Sequence, residues 1–551
     1  MQFTASDTCQ RDLRRSMTVV CLLGGILLSM RLYGQSSPAW ISASTFGGNG
    51  SDIGQAVKVD QDGNRYVTGA FSATAYFPLH AASGPQRDAR GSQTAGKALT
   101  SGGGTDVFLA KYDPSGKLRW LIQAGGAGDD EGFDIAFDAK RNVYVTGVFT
   151  DSATFGGTNG TGDTAVGIGQ TIFLAKYKPS GELAWVQTGT TAYDSSNNGY
   201  GVAVHPFTGS VYVTGVSQGD TTFSSSDGTT HTVSGPGTWH MVLAKFDTDG
   251  NFRWGQSNQA EVNSVAHKVA VDAHNNAYAV GWMEGQTTFH SHDGHDVTVE
   301  GFSGPIQSYP DYPDDAYVVK YDDKGNVQWV NHIGGYKAIG TDIATSRDGH
   351  VSITGFIGNI ANSQPEQAET IVTSGPGGSD INLGGGVFTD PYNKDVFVAT
   401  YDETGVLLDA QRFGGAPDEG GSGIAYDRDG SLIVAGIFQG TIKFEGRTLT
   451  GKDPSSLFVA KFARDQRERS SEAQTDSGEW SGSATYGLSW ATAADGPGIG
   501  GFENDPRIGL TAGGEVLVTG AYQPTAQFDR FELNSAGLGD GFLALLRAEP
   551  R

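Results

Sequence analysis

Along this chain, apolar and polar residues alternate with a period of two over short runs, and each run breaks at a polar turn rich in Asp, Gly and Asn. This is the signature of half-buried strands joined by tight hairpins, not of helices, whose apolar positions recur every three to four residues. The runs repeat. AVKVDQDGNRYVTGAF (56–71), DIAFDAKRNVYVTGVF (134–149), VAVHPFTGSVYVTG (202–215) and VAVDAHNNAYAVGW (269–282) are copies of one hairpin. So are DIATSRDGHVSITGF (342–356), GIAYDRDGSLIVAGIF (423–438) and RIGLTAGGEVLVTGAY (507–522). Their shared glycines are Gly69, Gly147, Gly215, Gly281, Gly355, Gly436 and Gly520, spaced 66 to 84 residues apart. A period of that size marks a repeat architecture.

A second hairpin follows the first in each repeat, as in DVFLAKYDPSGKLRW (106–120), TIFLAKYKPSGELAW (171–185), MVLAKFDTDGNFRW (241–254) and DAYVVKYDDKGNVQW (315–329). In the fifth repeat, DVFVATYDETGVLLD (395–409), Asp409 stands where tryptophan is expected. Two hairpins make four strands, so the expected fold is all-β: a seven-bladed β-propeller of four-stranded antiparallel blades. The ends carry two lone strands, Trp40–Ser44 and Gly541–Arg547. Pairing the N-terminal strand with the C-terminal one completes the seventh blade, closes the ring and removes two open edges. Trp40, Trp120, Trp185, Trp254, Trp329 and Trp490 then recur on outer strands as packing anchors.

The repeat G-G-x-G-x-D-x-G, D-x-x-G-N-x-Y-V-T-G-x-F, D-x-F-L-A-K-Y-D resembles the SBBP-type β-propeller repeat of exported bacterial proteins. The matches are FGGNGSDIG (46–54), DQDGNRYVTGAF (60–71) and DVFLAKYD (106–113). The third, fourth and seventh repeats depart from it in the loop between blades, as in TTAYDSSNNGYG (190–201). The resemblance implies the propeller and an envelope location, and no catalytic residues. KYDPSGKLRW also resembles the docking motif of pyrroloquinoline quinone dehydrogenase propellers, where the tryptophan packs neighbouring blades. Those enzymes typically have eight blades, and many have adjacent cysteines at the cofactor.

Composition fits this picture. Glycine is 82 of 551 residues, about twice average usage, and proline only 19, which suits many turns in a folded chain. The net charge of −24 disfavours nucleic acid and anionic lipid as partners. Arg11, Arg14 and Arg15 precede an apolar run from Thr18 to Met30, too short for a membrane span of roughly 20 residues and ordered like an export signal. We expect residues 1–35 to be a signal peptide, cut near Gly34–Gln35, and 36–551 to be the propeller. Removing residues 1–35 takes four Arg and two Asp, which brings the charge to −26. It also takes Cys9 and Cys21, the two cysteines, so thiol catalysis and zinc–thiolate sites fall away. The mature protein is expected to be a soluble monomer, secreted, periplasmic or at the cell surface.

Two groups of residues carry candidate chemistry. The connector acids Asp52, Asp129, Asp130, Glu131, Asp418 and Glu419 lie on the face of the long loops, opposite the short turns. Carboxylates gathered near one axis suit Ca²⁺, and loop capping is the competing reading. In TTFHSHDGHDVTVEG (287–301), a two-residue Asp293-Gly294 turn sets His292 opposite His295, with His290 on the same face, a grouping that suits a transition metal. The counterpart hairpin TTFSSSDGTTHTVSG (221–235) has Ser224, Ser226 and Thr229 there, so adventitious surface histidine competes with that reading. No nucleophile elbow, P-loop or dinucleotide fingerprint occurs. The expectation is a non-enzymatic binding or scaffold module for an envelope or extracellular protein or glycan. The alternative is a secreted propeller enzyme, carbohydrate-active or quinone-dependent.

Overall fold

A computed structural model describes residues 38–81, 96–192, 197–301, 314–334, 337–358, 370–375, 378–383, 394–416, 418–452, 455–464, 486–497 and 506–547. Residues 1–35, expected to be a signal peptide and holding both cysteines, lie outside them, as do residues 465–480 of the charged stretch 463–480 that the sequence suggests is flexible and dispensable. The described residues form strands and no helix.

One antiparallel order recurs, with strands a to d paired in sequence. Group 1 is Asp52–Val59, Arg65–Pro78, Gly96–Tyr112 and Leu118–Gly126. Group 2 is Glu131–Phe137, Val143–Gly156, Gly162–Tyr177 and Leu183–Thr190. Group 3 is Asn198–Val204, Val211–Gln218, Trp239–Phe246 and Phe252–Ala260. Group 4 is Ser264–Val271, Ala277–Glu284, Asp314–Tyr321 and Val327–Gly334. Group 5 is Lys337–Thr345, Val351–Gly358, Lys394–Tyr401 and Leu407–Ala416. Group 6 is Glu419–Tyr426, Leu432–Phe438, Ser456–Arg464 and Tyr486–Pro497. Group 7 joins Arg507–Leu510, Val516–Phe528 and Asp540–Arg547 to the N-terminal strand Ala39–Gly48, which pairs from Ala39↔Arg547 to Phe46↔Gly541.

The turns explain the recurring aspartates. Asp60 accepts the N–H groups of Asp62 and Asn64, both at 2.9 Å, and the Tyr66 hydroxyl at 3.1 Å. Asp138 and Asp272 repeat this around Asn142, Tyr144, Asn276 and Tyr278. Side-chain capping of turn N–H groups is what aspartate does best. The shared glycines have a different cause. In groups 1 to 6, strand a carries a bulge opposite the glycine. The bulge pushes a carbonyl into the space a Cβ needs: one at Gly69 would lie 1.9 Å from Ile53 O, and one at Gly215 would lie 1.8 Å from Asn198 O.

The core lies between groups. One cluster mixes Tyr66, Leu109 and Trp120 of group 1 with Ile135, Val145 and Phe173 of group 2. Each strand a lies against strand a of the next group, and that of group 7 against that of group 1. The b–c insertions cross the junctions. Each pairs with strand d of the preceding group, as in Ala124↔Phe155, Phe223↔Gly189, Asn258↔Phe289 and Gly47↔Tyr76, which covers the edge of that strand. Five insertions also reach a c–d turn. Ala81, Thr158, Ser226, His292 and Gly375 donate their N–H to the carbonyls of Gly116, Gly181, Gly250, Gly325 and Gly405. The long loops therefore do not stay on the connector face, as their sequence suggested. They run along the outer wedge towards the short turns.

Candidate functional site

The connector acids sit where strand d passes into strand a, at separate junctions. Asp52 is buried and accepts Gly48 N–H at 2.9 Å. Asp130 is buried and accepts Gly126 N–H at 2.7 Å and Thr150 N–H at 3.0 Å. Asp129, beside it, accepts Thr105 N–H at 3.0 Å. The backbone of Asp418 bridges Lys394 and accepts Gln439 N–H, and Glu419 next to it is buried. The backbone of Glu131 opens strand a of group 2, opposite Val148.

Each buried connector acid faces a second carboxylate from the start of a strand c. Asp52 faces Asp540 across Gly47, Asp130 faces Asp106, and Glu419 faces Asp395, which Arg412 engages. Burial, with these neighbours adding to it, pushes Asp52 up to about 7, Asp130 to about 6 and Glu419 to about 8. The arrangement is thus one of pairs at separate junctions rather than one axial ring of acids.

The histidines are likewise held apart. The insertion ladder ends at Phe289↔Val297, so residues 290–296 form a wider loop, and His292 and His295 are not ladder partners. His290 Nδ1 meets Asp296 at 2.9 Å, His292 Nδ1 meets Lys324 O at 2.9 Å, and His295 Nδ1 lies 3.3 Å from Asp293. Among the described residues, no three His, Cys, Asp or Glu side chains converge as metal ligands.

Three arrangements go beyond the expectations from sequence, the first by adding hydrogen bonds and lysines to tryptophans expected to pack between neighbouring groups. The first is a clasp between groups. The indole N–H groups of Trp120, Trp185, Trp254 and Trp329 donate to Pro179 O, Thr248 O, Asp323 O and Glu403 O of the next c–d turn, at 2.9 to 3.2 Å. Lys111, Lys176, Lys245 and Lys320 donate to the same four oxygens, and each ammonium also lies 5.0 to 5.4 Å from a tyrosine ring of strand b. Trp40 does not belong to this set. Ser42 holds the register position opposite Leu545 that Trp120 holds opposite Lys111, while Trp40 packs edge-on against Phe528 and donates to Ala493 O.

The second arrangement lies where the strands a meet. The Lys268 ammonium of group 4 reaches Asp134 of group 2 at 3.1 Å and the carbonyls of Phe133 and Tyr200 at 3.3 and 3.1 Å. Burial lowers its pKa, and Asp134 opposes that shift. The third is a cleft of about 580 Å³ among the a–b turns of groups 1, 5, 6 and 7. Asp60, Asp348, Asp429, Arg347, Arg428 and Arg464 are part of its lining. Burial would raise the Asp348 carboxyl, but the Ser346 hydroxyl and the Arg464 guanidinium outweigh it and bring it down to about 2. A wall of mixed charge can meet a polar or charged ligand with ion pairs and charge-assisted hydrogen bonds.

No family model matches the chain. It is 25% identical over 445 residues to an uncharacterized WD repeat-containing protein, L264, of Acanthamoeba polyphaga mimivirus. The match covers 67% of this chain and 29% of that protein, so the chain spans less than a third of the relative's length. An all-strand chain of repeated antiparallel sheets with such a relative fits a β-propeller repeat protein.

Proposed function

We propose that the chain is a seven-bladed propeller closed by its N-terminal strand, exported, and acting as a monomeric, non-enzymatic binding or scaffold module at the cell envelope or outside the cell. The observation that carries the binding reading is a division of labour. The recurring polar residues, the turn aspartates and the clasp lysines, are occupied in holding turns and neighbouring groups. Variation between repeats collects in the b–c insertions, whereas the hairpin turns stay short and similar, and the turns of four groups border the charged cleft. A rigid scaffold with variable loops is the usual build of a recognition surface. The pairing of Ala39–Gly48 with Asp540–Arg547 supports closure, and the basic, short-apolar N-terminus and the SBBP-type repeat support export.

The test is capture of envelope material on the chain lacking residues 1–35, followed by identification of what is retained. The enzyme reading is tested by reconstitution with pyrroloquinoline quinone and Ca²⁺ in a dye-linked dehydrogenase assay, and by a glycan array with a polysaccharide hydrolysis screen. Turnover abolished by substituting Asp129 or Asp418 overturns the binding reading. Ca²⁺ held by the connector acids remains part of the proposal. Calorimetric titration, with a melt with and without chelator, shows heat and a shift if it is right. The absence of both heat and a melting shift removes calcium from the account. The histidine loop is tested in the same way with Zn²⁺, against a His290→Ala, His292→Ala, His295→Ala variant.

A further inference from the structure

In four junctions the tryptophan of strand d is capped by the c–d turn of the next group. The turn supplies a carbonyl to the indole N–H and a glycine over the ring. A Cβ at Gly181, Gly250, Gly325 or Gly405 would lie 2.8 to 3.2 Å from the ring below, and all four glycines have φ between 84° and 87°. These are four copies of one socket for a glycine-bearing β-turn.

The junction of group 6 with group 7 has the socket without that turn. Strands c and d of group 7 come from opposite ends of the described chain, so no hairpin turn joins them. Trp490 stands opposite Lys461 as Trp120 stands opposite Lys111. It is 8% exposed, and among the described residues its indole N–H has no hydrogen-bond partner. Above it lies a cleft of about 210 Å³ lined by Trp490, Lys461, Asp427, Gly514, Glu515 and Arg547. Lys461 is held by Asp427 and Asp429 and Arg547 by Glu515, and with Arg428 the lining carries three cations and three carboxylates, so its charges balance. What the cleft leaves over is a buried donor beside an aromatic face. A neutral acceptor with a flat, side-chain-free backbone beside it satisfies both.

We propose that this cleft binds a β-turn of a partner polypeptide, with glycine at its positive-φ position over Trp490 and the carbonyl two residues earlier on the indole N–H. The molecule's own four turns define that chemistry. The sequence after Arg547, Ala548-Glu549-Pro550-Arg551, carries no glycine, so it does not supply the positive-φ glycine that the four turns share. The inference deepens the binding-module reading and rests on it.

The probe is a cyclic hairpin peptide with Lys-Pro-Ser-Gly-Glu, the sequence of residues 178–182, at its turn, titrated calorimetrically into the full chain. A second peptide carries valine in place of the glycine. We expect the first to bind and the second not to. Trp490→Phe keeps a ring and removes the donor, and should weaken binding about 3- to 10-fold, the worth of one hydrogen bond. Trp120→Phe, in a socket already capped, should not change it. The proposal is overturned if the first peptide gives no heat, if both peptides bind alike, or if Trp490→Phe binds as the parent does. It is also overturned if only a chain ending at Arg547 binds, since residues 548–551 are then the occupant. Because the valine peptide is tested on the unaltered protein, a misfolded variant does not remove the test. Failure of the peptide while envelope capture succeeds refutes the turn socket and leaves the broader reading standing.

Discussion

Replacing Asp52 by Asn should make the protein more stable at alkaline pH and leave it nearly unchanged near pH 4. Asp52 is 1% exposed, accepts Gly48 N–H and faces Asp540. Asp540 in turn accepts from Ala536 N–H at 3.1 Å and, more weakly, from the Thr45 hydroxyl at 3.5 Å, which itself accepts from the Tyr522 hydroxyl. No cation figures among the groups acting on Asp52, and burial is the largest of them, so its pKa rises from 3.8 to about 7. The folded state therefore holds the proton more tightly than the unfolded chain does. The associated stability is present in full below the unfolded value and is lost as pH rises through about 7. At 1.36 kcal/mol per pKa unit, the ionised carboxylate costs the folded state about 4 kcal/mol above that pH. Water entering a loosened junction reduces this, so a gain of about 1–4 kcal/mol is the expected range. Asparagine keeps an oxygen for Gly48 N–H and cannot ionise. Urea unfolding of parent and variant, followed by tryptophan fluorescence between pH 4.5 and 9, measures the difference. The gap should open between about pH 4 and pH 7 and stay level above that. A gap of constant size at every pH, or a variant less stable at pH 8.5, would refute the electrostatic argument. If Ca²⁺ bridges Asp52 and Asp540, saturating Ca²⁺ should close the gap by stabilising the parent alone.

Other outcomes follow from the same contacts. Deleting residues 36–46, or ending the chain before Gly541, strips one partner from the pairing of Ala39–Gly48 with Asp540–Arg547 and should lower the melting temperature or cause aggregation; unchanged melts for both deletions would refute closure. Asp134→Asn leaves the Lys268 ammonium buried without its counter-ion and should cost about 3–5 kcal/mol, largely recovered by adding Lys268→Met; strictly additive losses in that double-mutant cycle would argue against the pair. Trp254→Ala should cost about 3–5 kcal/mol through lost packing, whereas Trp254→Phe should cost about 1 kcal/mol through the lost bond to Asp323 O; equal effects in denaturant titrations would show that the ring does not cap the turn.

Local chemistry made much of this protein readable from its residues alone. Alternation with period two, Asp-led turns and recurring glycines identify paired hairpins, because strand pleat, side-chain capping and steric room act within a few residues. Asp60, Asp138 and Asp272 do what their spacing suggests. The matching ends near Trp40 and Gly541 were recognisable as partners because each lone strand has ladder groups to satisfy. Other features depended on groups that meet only after the chain has turned back on itself. Gly69 is required because a bulge drives Ile53 O towards it, and neither residue signals that alone. Trp40 looked equivalent to Trp120 by its order in the chain, yet pairing register put Ser42 in that place, since a two-residue offset is invisible until the partner strand is aligned. Lys268 and Asp134 lie 134 residues apart and two groups away. The connector acids were visible as acids, but burial beside one another is what raises their pKa values, and burial is a property of packing. The orphan indole of Trp490 exists because strands from the two ends of the described chain share one sheet. A hairpin turn arises where neighbouring strands are consecutive in the chain, and here they are not.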